Sequence, residues 1–273
     1  MSQIFITGDT HFDHDIAKLM RFEHRSGEEL TKDDYMIVCG DFGLLWNYKE
    51  TGRIVPSNSV DNHWAQDEYE LYEWYNDLPW TTLWVSGNHE NYDRLETYPI
   101  SEWHGGRVQK ISDSIIHLMR GEVYEIDGET FFTFGGAQST DRGAIKGEQA
   151  AKEAIGKYWW PQEIPTTEEL NHAMTNLAKY DDKIDYVITH DCPQHIKNFI
   201  YSGAFDFYNN TKANVVSKML EMIYNVIEYR HWFCGHLHID RTIDNVTVTY
   251  NKIYPIDFNF DIESKYRSFG WEE

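Results

Sequence analysis

Five short segments carry residues able to bind metal ions or move protons: Gly8-Asp9-Thr10-His11, Gly40-Asp41, Gly87-Asn88-His89-Glu90, Thr189-His190-Asp191 and Gly235-His236-Leu237-His238. Taken singly each is a weak signal, because an aspartate or histidine beside a glycine is more often a cap or a satisfied polar group than a ligand. Together they supply carboxylate and amide oxygens mixed with imidazoles. That donor set suits divalent Mn, Fe, Zn, Co or Ni, and the lack of thiolates in it disfavours a structural zinc site. A divalent ion held by such donors can polarise an ester oxygen and lower the pKa of a bound water.

Such residues work only if the chain brings them to one place. Each segment follows a short apolar run, at residues 3–7, 36–39, 83–85, 186–189 and 232–234. Runs of that length bounded by Gly, Asp and His read as buried strands. Helical spacing appears over residues 64–76, with Leu71, Trp74 and Tyr75, and over 167–179, opened by Thr166-Thr167-Glu168-Glu169 after Pro165. It appears again over 213–229, where Val216, Met219, Leu220, Ile223 and Ile227 recur by threes and fours. Two hairpins are expected, 123–126 with 130–134 around Asp127-Gly128-Glu129, and 241–243 with 246–250 around Asp244-Asn245. The fold class is therefore α/β, with two mixed sheets face to face and helices outside. In such folds ligands gather at the carboxyl ends of the strands, where all five segments fall. No repeat, low-complexity tract or linker interrupts the chain, so residues 1–273 read as one domain.

Formal charge is −21, from 45 acidic against 24 basic residues. That field opposes extended nucleic acid and anionic membrane surfaces but leaves a small phosphorylated or nucleotide-like substrate open, since bound cations reverse the potential locally. No apolar run is long enough to span a bilayer, and the N-terminus has no signal-peptide pattern, so a cytoplasmic location is expected. Cys39, Cys192 and Cys234 show no CxxC spacing and read as small buried residues.

The order Asp-x-His, Gly-Asp, Gly-Asn-His-Glu, His, Gly-His-x-His, running from Asp9 to His238, resembles the calcineurin-like metallophosphoesterases. The resemblance implies a four-layer α/β/β/α sandwich and two divalent ions, manganese foremost, with Fe, Zn, Ni or Co as alternatives. Carried over, Asp9, His11 and His238 bind the first ion, Asp41 bridges both, and Asn88, His190 and His236 bind the second. The division between His236 and His238 rests on the family pattern alone. His89 becomes the group that protonates the leaving oxygen or steadies the transition state. The implied activity is a phosphatase or phosphodiesterase using a metal-bridging hydroxide.

Departures narrow that expectation. The protein serine/threonine phosphatases carry an Asp and an Arg where this chain has Leu44 and Leu45, and an Arg where it has Ser86. Protein phosphatase activity is therefore not expected, and the orienting partner of His89 is not identified. Residues 135–143, Gly-Gly-Ala-Gln-Ser-Thr-Asp-Arg-Gly, offer a replacement phosphate clamp through Arg142, or equally a surface Arg–Asp pair. With Tyr158-Trp159-Trp160-Pro161 this loop resembles a bacterial and phage-borne subgroup whose substrates are mostly unassigned. Trp159 and Trp160 could wall a cleft or anchor a core. His14 could reach substrate or serve at a helix start. Two other readings stand beside the enzyme of small substrates. One is a nuclease or RNA-processing phosphodiesterase on the same scaffold; the other is a non-catalytic protein-contact scaffold. Oligomeric state is left open.

Overall fold

The computed structural model describes residues 1–46, 66–139, 152, 154–202 and 214–258. Its frame is two mixed sheets. The first has seven strands: β1 (Ile4–Thr7), β2 (Tyr35–Val38), β3 (Thr81–Trp84), β4 (Ile100–Trp103), β5 (Gly106–Ser112), β6 (Ile115–Leu118) and β13 (Ile253–Pro255), ordered β13-β1-β2-β3-β6-β5-β4. The second has six: β7 (Glu122–Ile126), β8 (Glu129–Phe134), β9 (Lys183–Thr189), β10 (Glu228–Cys234), β11 (Arg241–Ile243) and β12 (Val246–Val248), ordered β11-β12-β10-β9-β8-β7. Within each sheet the central strands run parallel, and β13, β5 and β4 in one and β11 and β7 in the other close the edges antiparallel.

Side-chain alternation explains the layering, because successive strand residues face opposite sides. Along β8 Phe131 points into the core between the sheets, whereas Phe132 and Phe134 point into an outer core. Along β9 Tyr186 and Ile188 face inward and Val187 outward. The helices α1 (Ala17–Ser26) and α2 (Gln66–Asp77) cover the first sheet through Leu19, Leu71 and Tyr75. A short helix α3 (Tyr92–Leu95) follows the third ligand segment. On the far side α4 (Thr167–Ala178), α5 (Gln194–Tyr201) and α6 (Val215–Tyr224) cover the second sheet through Leu170, Ala173, Ile196, Val216 and Leu220. This is the four-layer α/β/β/α sandwich.

Local chemistry accounts for the boundaries. Helix α4 opens on a full capping box between Thr166 and Glu169. The β7–β8 turn has positive φ at Asp127 (53°) and Gly128 (87°), the pair of left-handed residues that a tight hairpin requires. One expected element differs. The periodic segment 213–229 is helical only over Val215–Tyr224: Asn214 caps its start, Asn225 closes it, and Glu228 already begins β10. Ile227 continues the i, i+4 pattern but packs into the same core from the connecting turn. Strands β4 to β6 and helices α1 and α5 were not apparent from periodicity; β4 is largely exposed and carries little alternation. Among the described residues no helix is long and apolar enough to cross a membrane.

Candidate metal centre

All five ligand segments leave the carboxyl ends of parallel strands: β1, β2 and β3 in one sheet, β9 and β10 in the other. The sheets thus place the segments along one seam. The local backbone there is unusual. His11, Asp41, His236 and His238 have φ of 43°, 46°, 65° and 51°, a left-handed conformation that costs non-glycine residues energy and clusters at functional sites. The glycines of the segments make room for ligands of other segments. A Cβ on Gly87 would lie 2.0 Å from Asp41 Oδ1, and one on Gly235 would lie 2.2 Å from Asp9 Oδ1.

The side chains form two groups that share one member. Ligand atoms of Asp9, His11, Asp41 and His238 lie within 4.8 Å of one another, as do those of Asp41, His190 and His236. Asp41 divides its oxygens between them: Oδ2 is 3.2 Å from His11 Nε2, and Oδ1 is 3.2 Å from His190 Nε2. Asp9 Oδ2 lies 3.0 Å from His238 Nε2, while Asn88 Oδ1 lies 3.3 Å from His190 Nε2, on the second group's side. His238 therefore falls with Asp9 and His11, and His236 with His190.

Other residues hold these donors in place. His11 Nδ1 bonds Asp15 Oδ2 at 2.7 Å, and His190 Nδ1 bonds the Cys39 carbonyl at 2.7 Å, each turning Nε2 toward the centre. The Tyr250 hydroxyl donates to Asp15 Oδ1 at 2.8 Å while its ring stacks on His238, with centroids 4.7 Å apart. Buried Lys18 donates to the carbonyls of Gly8, Asp9 and Tyr250, tying β1's end to the segment after β12. The Glu90 carboxylate accepts from the backbone N–H groups of Phe42 and Gly43, bracing the Asp41 turn. Asp191 is buried against Lys197 and Ser217. Of these, Asp15 had a readable signal, four residues after His11. Lys18 and Tyr250 had none, since only the fold brings them near.

Electrostatics fits a cationic occupant. Burial alone would raise the Asp41 pKa, but His190 and His11 hold it well below the usual carboxylate range. Burial alone would lower His190, yet Asp41 and Asp9 push it up to about 10, and Asp41 does the same for His11, to about 9. Burial brings His236 down to about 4, leaving a neutral imidazole with a free lone pair. Without cations, protons on His11 and His190 balance the carboxylates. Divalent ions would displace those protons, as expected for oxygen and imidazole donors.

A stability prediction follows. His11 and His190 are raised from 6.5, and Glu90 is raised from 4.5 to about 8, chiefly by burial and then by Asp41. For a raised folded-state pKa, stability is full below the unfolded value and is lost as pH climbs through the folded one. Chelator-treated protein should therefore melt at progressively lower temperature from about pH 6.5 to about pH 9, with Glu90 contributing up to about pH 8. Above about pH 8 the Lys18 ammonium, whose pKa burial brings down to about 8, works the other way. Added Mn²⁺ should flatten the decline. A melting temperature that rises across that window without metal would contradict the reading.

The remaining expected site residues are distributed as follows. His89 lies in neither ligand group; its backbone N–H donates to Asp41 Oδ1 at 2.7 Å, and its ring stands 5.2 Å from that of His11 on a cavity of about 730 Å³. His14 is exposed on the same cavity, paired with Asp13. Leu44, Leu45 and Ser86 are buried, and the two leucines belong to the core under α2. Gly135 and Gly136 pack against Ser86 and Glu163. Arg142 lies outside the described residues. Trp159 and Trp160 are buried, with Trp160 set edge-on behind Trp46, whose ring is 5.9 Å from His89. Trp46 on the cavity was not singled out from sequence. The cysteines are free and buried.

Comparison with known proteins agrees with this geometry. The lariat debranching enzyme of Schizosaccharomyces pombe is 25% identical over 218 residues, covering 77% of this chain and 44% of that protein. That of Homo sapiens is 25% identical over 221 residues, covering 76% and 36%, and that of Drosophila melanogaster 22% over 220 residues, covering 76% and 38%. The chain thus spans less than half the length of these relatives. The profile of the calcineurin-like phosphoesterases, generally metal-dependent hydrolases, matches residues 2–240. That match takes in strands β1 to β10 and all five segments, and this chain belongs to the calcineurin-like phosphoesterase family.

Proposed function

We propose that this protein hydrolyses phosphate esters of a small or nucleotide-like substrate with two divalent ions. The observation that carries the reading is the division of the Asp41 carboxylate between two ligand groups. Asp9, His11, His238 and Asp41 would hold one ion; Asp41, Asn88, His190 and His236 would hold the other. When bound, the ions neutralise phosphoryl oxygens and make water a nucleophile near neutral pH. Asn88 contributes a neutral oxygen and adds no negative charge, which keeps the centre electrophilic. His89, on the cavity wall and outside the ligand groups, supplies a proton to the departing oxygen. Arg142 stays a candidate phosphate contact. Manganese is the first ion to test, and mono-, di- and pyrophosphate esters assayed with Mn²⁺ test the reaction class. Hydrolysis of none of them at full metal occupancy would favour the scaffold reading.

Asp15 gives a separate check. It fixes the tautomer and direction of His11, and partners of that kind contribute about 10–100-fold to metal affinity. Asp15→Asn is expected to weaken one of two calorimetric binding steps by that factor and leave the other unchanged. Equal weakening of both steps, or of neither, would remove Asp15 from this role.

A second reading, an RNA-processing phosphodiesterase, draws on the debranching relatives. The net charge of −21 weighs against long-polymer binding. Cleavage of branched RNA at rates above those for nucleotide diesters would establish it.

A further inference from the structure

Trp46 is held as a platform at the edge of the metal centre. It is half-buried on the cavity wall, and its ring lies 5.9 Å from that of His89. Behind it the fully enclosed Trp160 meets it edge-on at 5.3 Å, and Trp160 is itself anchored through Nε1 to Asp93 at 3.2 Å. The Trp46 carbonyl accepts from the buried Asn91 side chain at 3.0 Å, so ring and backbone are both tied to the segment that follows Asn88 and His89. A large aromatic side chain so fixed and half-exposed on the cavity wall offers a stacking surface at little entropic cost.

The surroundings narrow what would stack there. Phe12, forced to φ of 61° directly after His11, puts a second ring on the same cavity. Asp67 is exposed on its rim, beside Asp13, whose second oxygen is left over from its pairing with His14. Those carboxylates accept hydrogen bonds from N–H donors and repel a second anionic group. A planar aromatic with ring and exocyclic N–H groups fits; an acyl chain or a further phosphate does not. We infer that Trp46 stacks on a nucleobase of the substrate, making the substrate class a nucleotide ester. The inference builds on the proposed hydrolytic function by naming what accompanies the phosphate.

Binding separates the two claims. Affinities of Mn²⁺-loaded protein for AMP and ribose 5-phosphate differ only through the base. Wild type should prefer AMP by about tenfold, the scale of a base–aromatic stack. Trp46→Ala should erase that preference by weakening AMP while changing ribose 5-phosphate little, and Trp46→Phe should retain most of it. Metal content and melting temperature of each variant report whether the fold is kept. An equal preference in wild type and Trp46→Ala, or none in wild type, overturns the inference. A base preference that persists in a protein unable to hydrolyse any ester would sink the hydrolytic reading and leave the stacking site standing.

Discussion

Asp41→Asn should abolish turnover and cost the protein stable binding of at least one ion. The substitution keeps the side-chain volume and the backbone carbonyl that accepts from Thr10 and His11, so the turn itself survives. What disappears is the charge that faces His11 on one side and His190 on the other. An amide offers one oxygen and would turn an NH₂ group toward one of the two ligand groups. Lewis-acid stabilisation is worth several kcal/mol, and each 1.36 kcal/mol is tenfold in rate, so the loss should be roughly a thousandfold or more in kcat/KM. Metal content measured beside the kinetics decides the cause. A variant that keeps both ions at unchanged affinity would show that Asp41 is not shared.

His89→Ala should behave in the opposite way. The His89 side chain belongs to neither ligand group, and the contact that supports Asp41 comes from its backbone N–H, which alanine keeps. General acid assistance contributes about 10²–10⁴ in rate, so kcat should fall by that factor with both ions bound. A leaving-group series sharpens the test. The loss should be large for an alkyl ester, whose departing oxygen needs a proton, and small for a p-nitrophenyl ester. Loss of an ion in this variant, or an equal loss for both esters, would remove the proton-donor role.

The ligand segments were legible because each combines a strand of β-branched and aromatic residues with a glycine and a polar donor. Strand ends at Thr7, Val38, Trp84, Thr189 and Cys234 lie within one residue of where the apolar runs stop. The two hairpins were legible from Asp-Gly and Asp-Asn turns. What periodicity could not separate was the end of α6 from the start of β10, since Ile227 satisfies both patterns. The supporting shell was also hidden. Tyr250 reaches Asp15 across 235 positions and Lys18 reaches Tyr250 across 232, distances that no local pattern encodes. Trp160 drew attention by its type, yet it is the support, and Trp46 in front of it occupies the cavity wall. The glycines at 135 and 136 pack against Ser86 and Glu163, and their spacing alone did not say whether ligand or protein approaches.

Two ions sharing the Asp41 carboxylate are the centre of the proposed mechanism. Chelator-stripped protein titrated with Mn²⁺, with bound metal measured by elemental analysis and hydrolysis of bis-p-nitrophenyl phosphate followed in the same samples, tests it most directly. The expected result is two ions per chain, with activity rising as the second is bound. A single ion at saturation, or full occupancy by two without hydrolysis of this or any other phosphate ester, would contradict it.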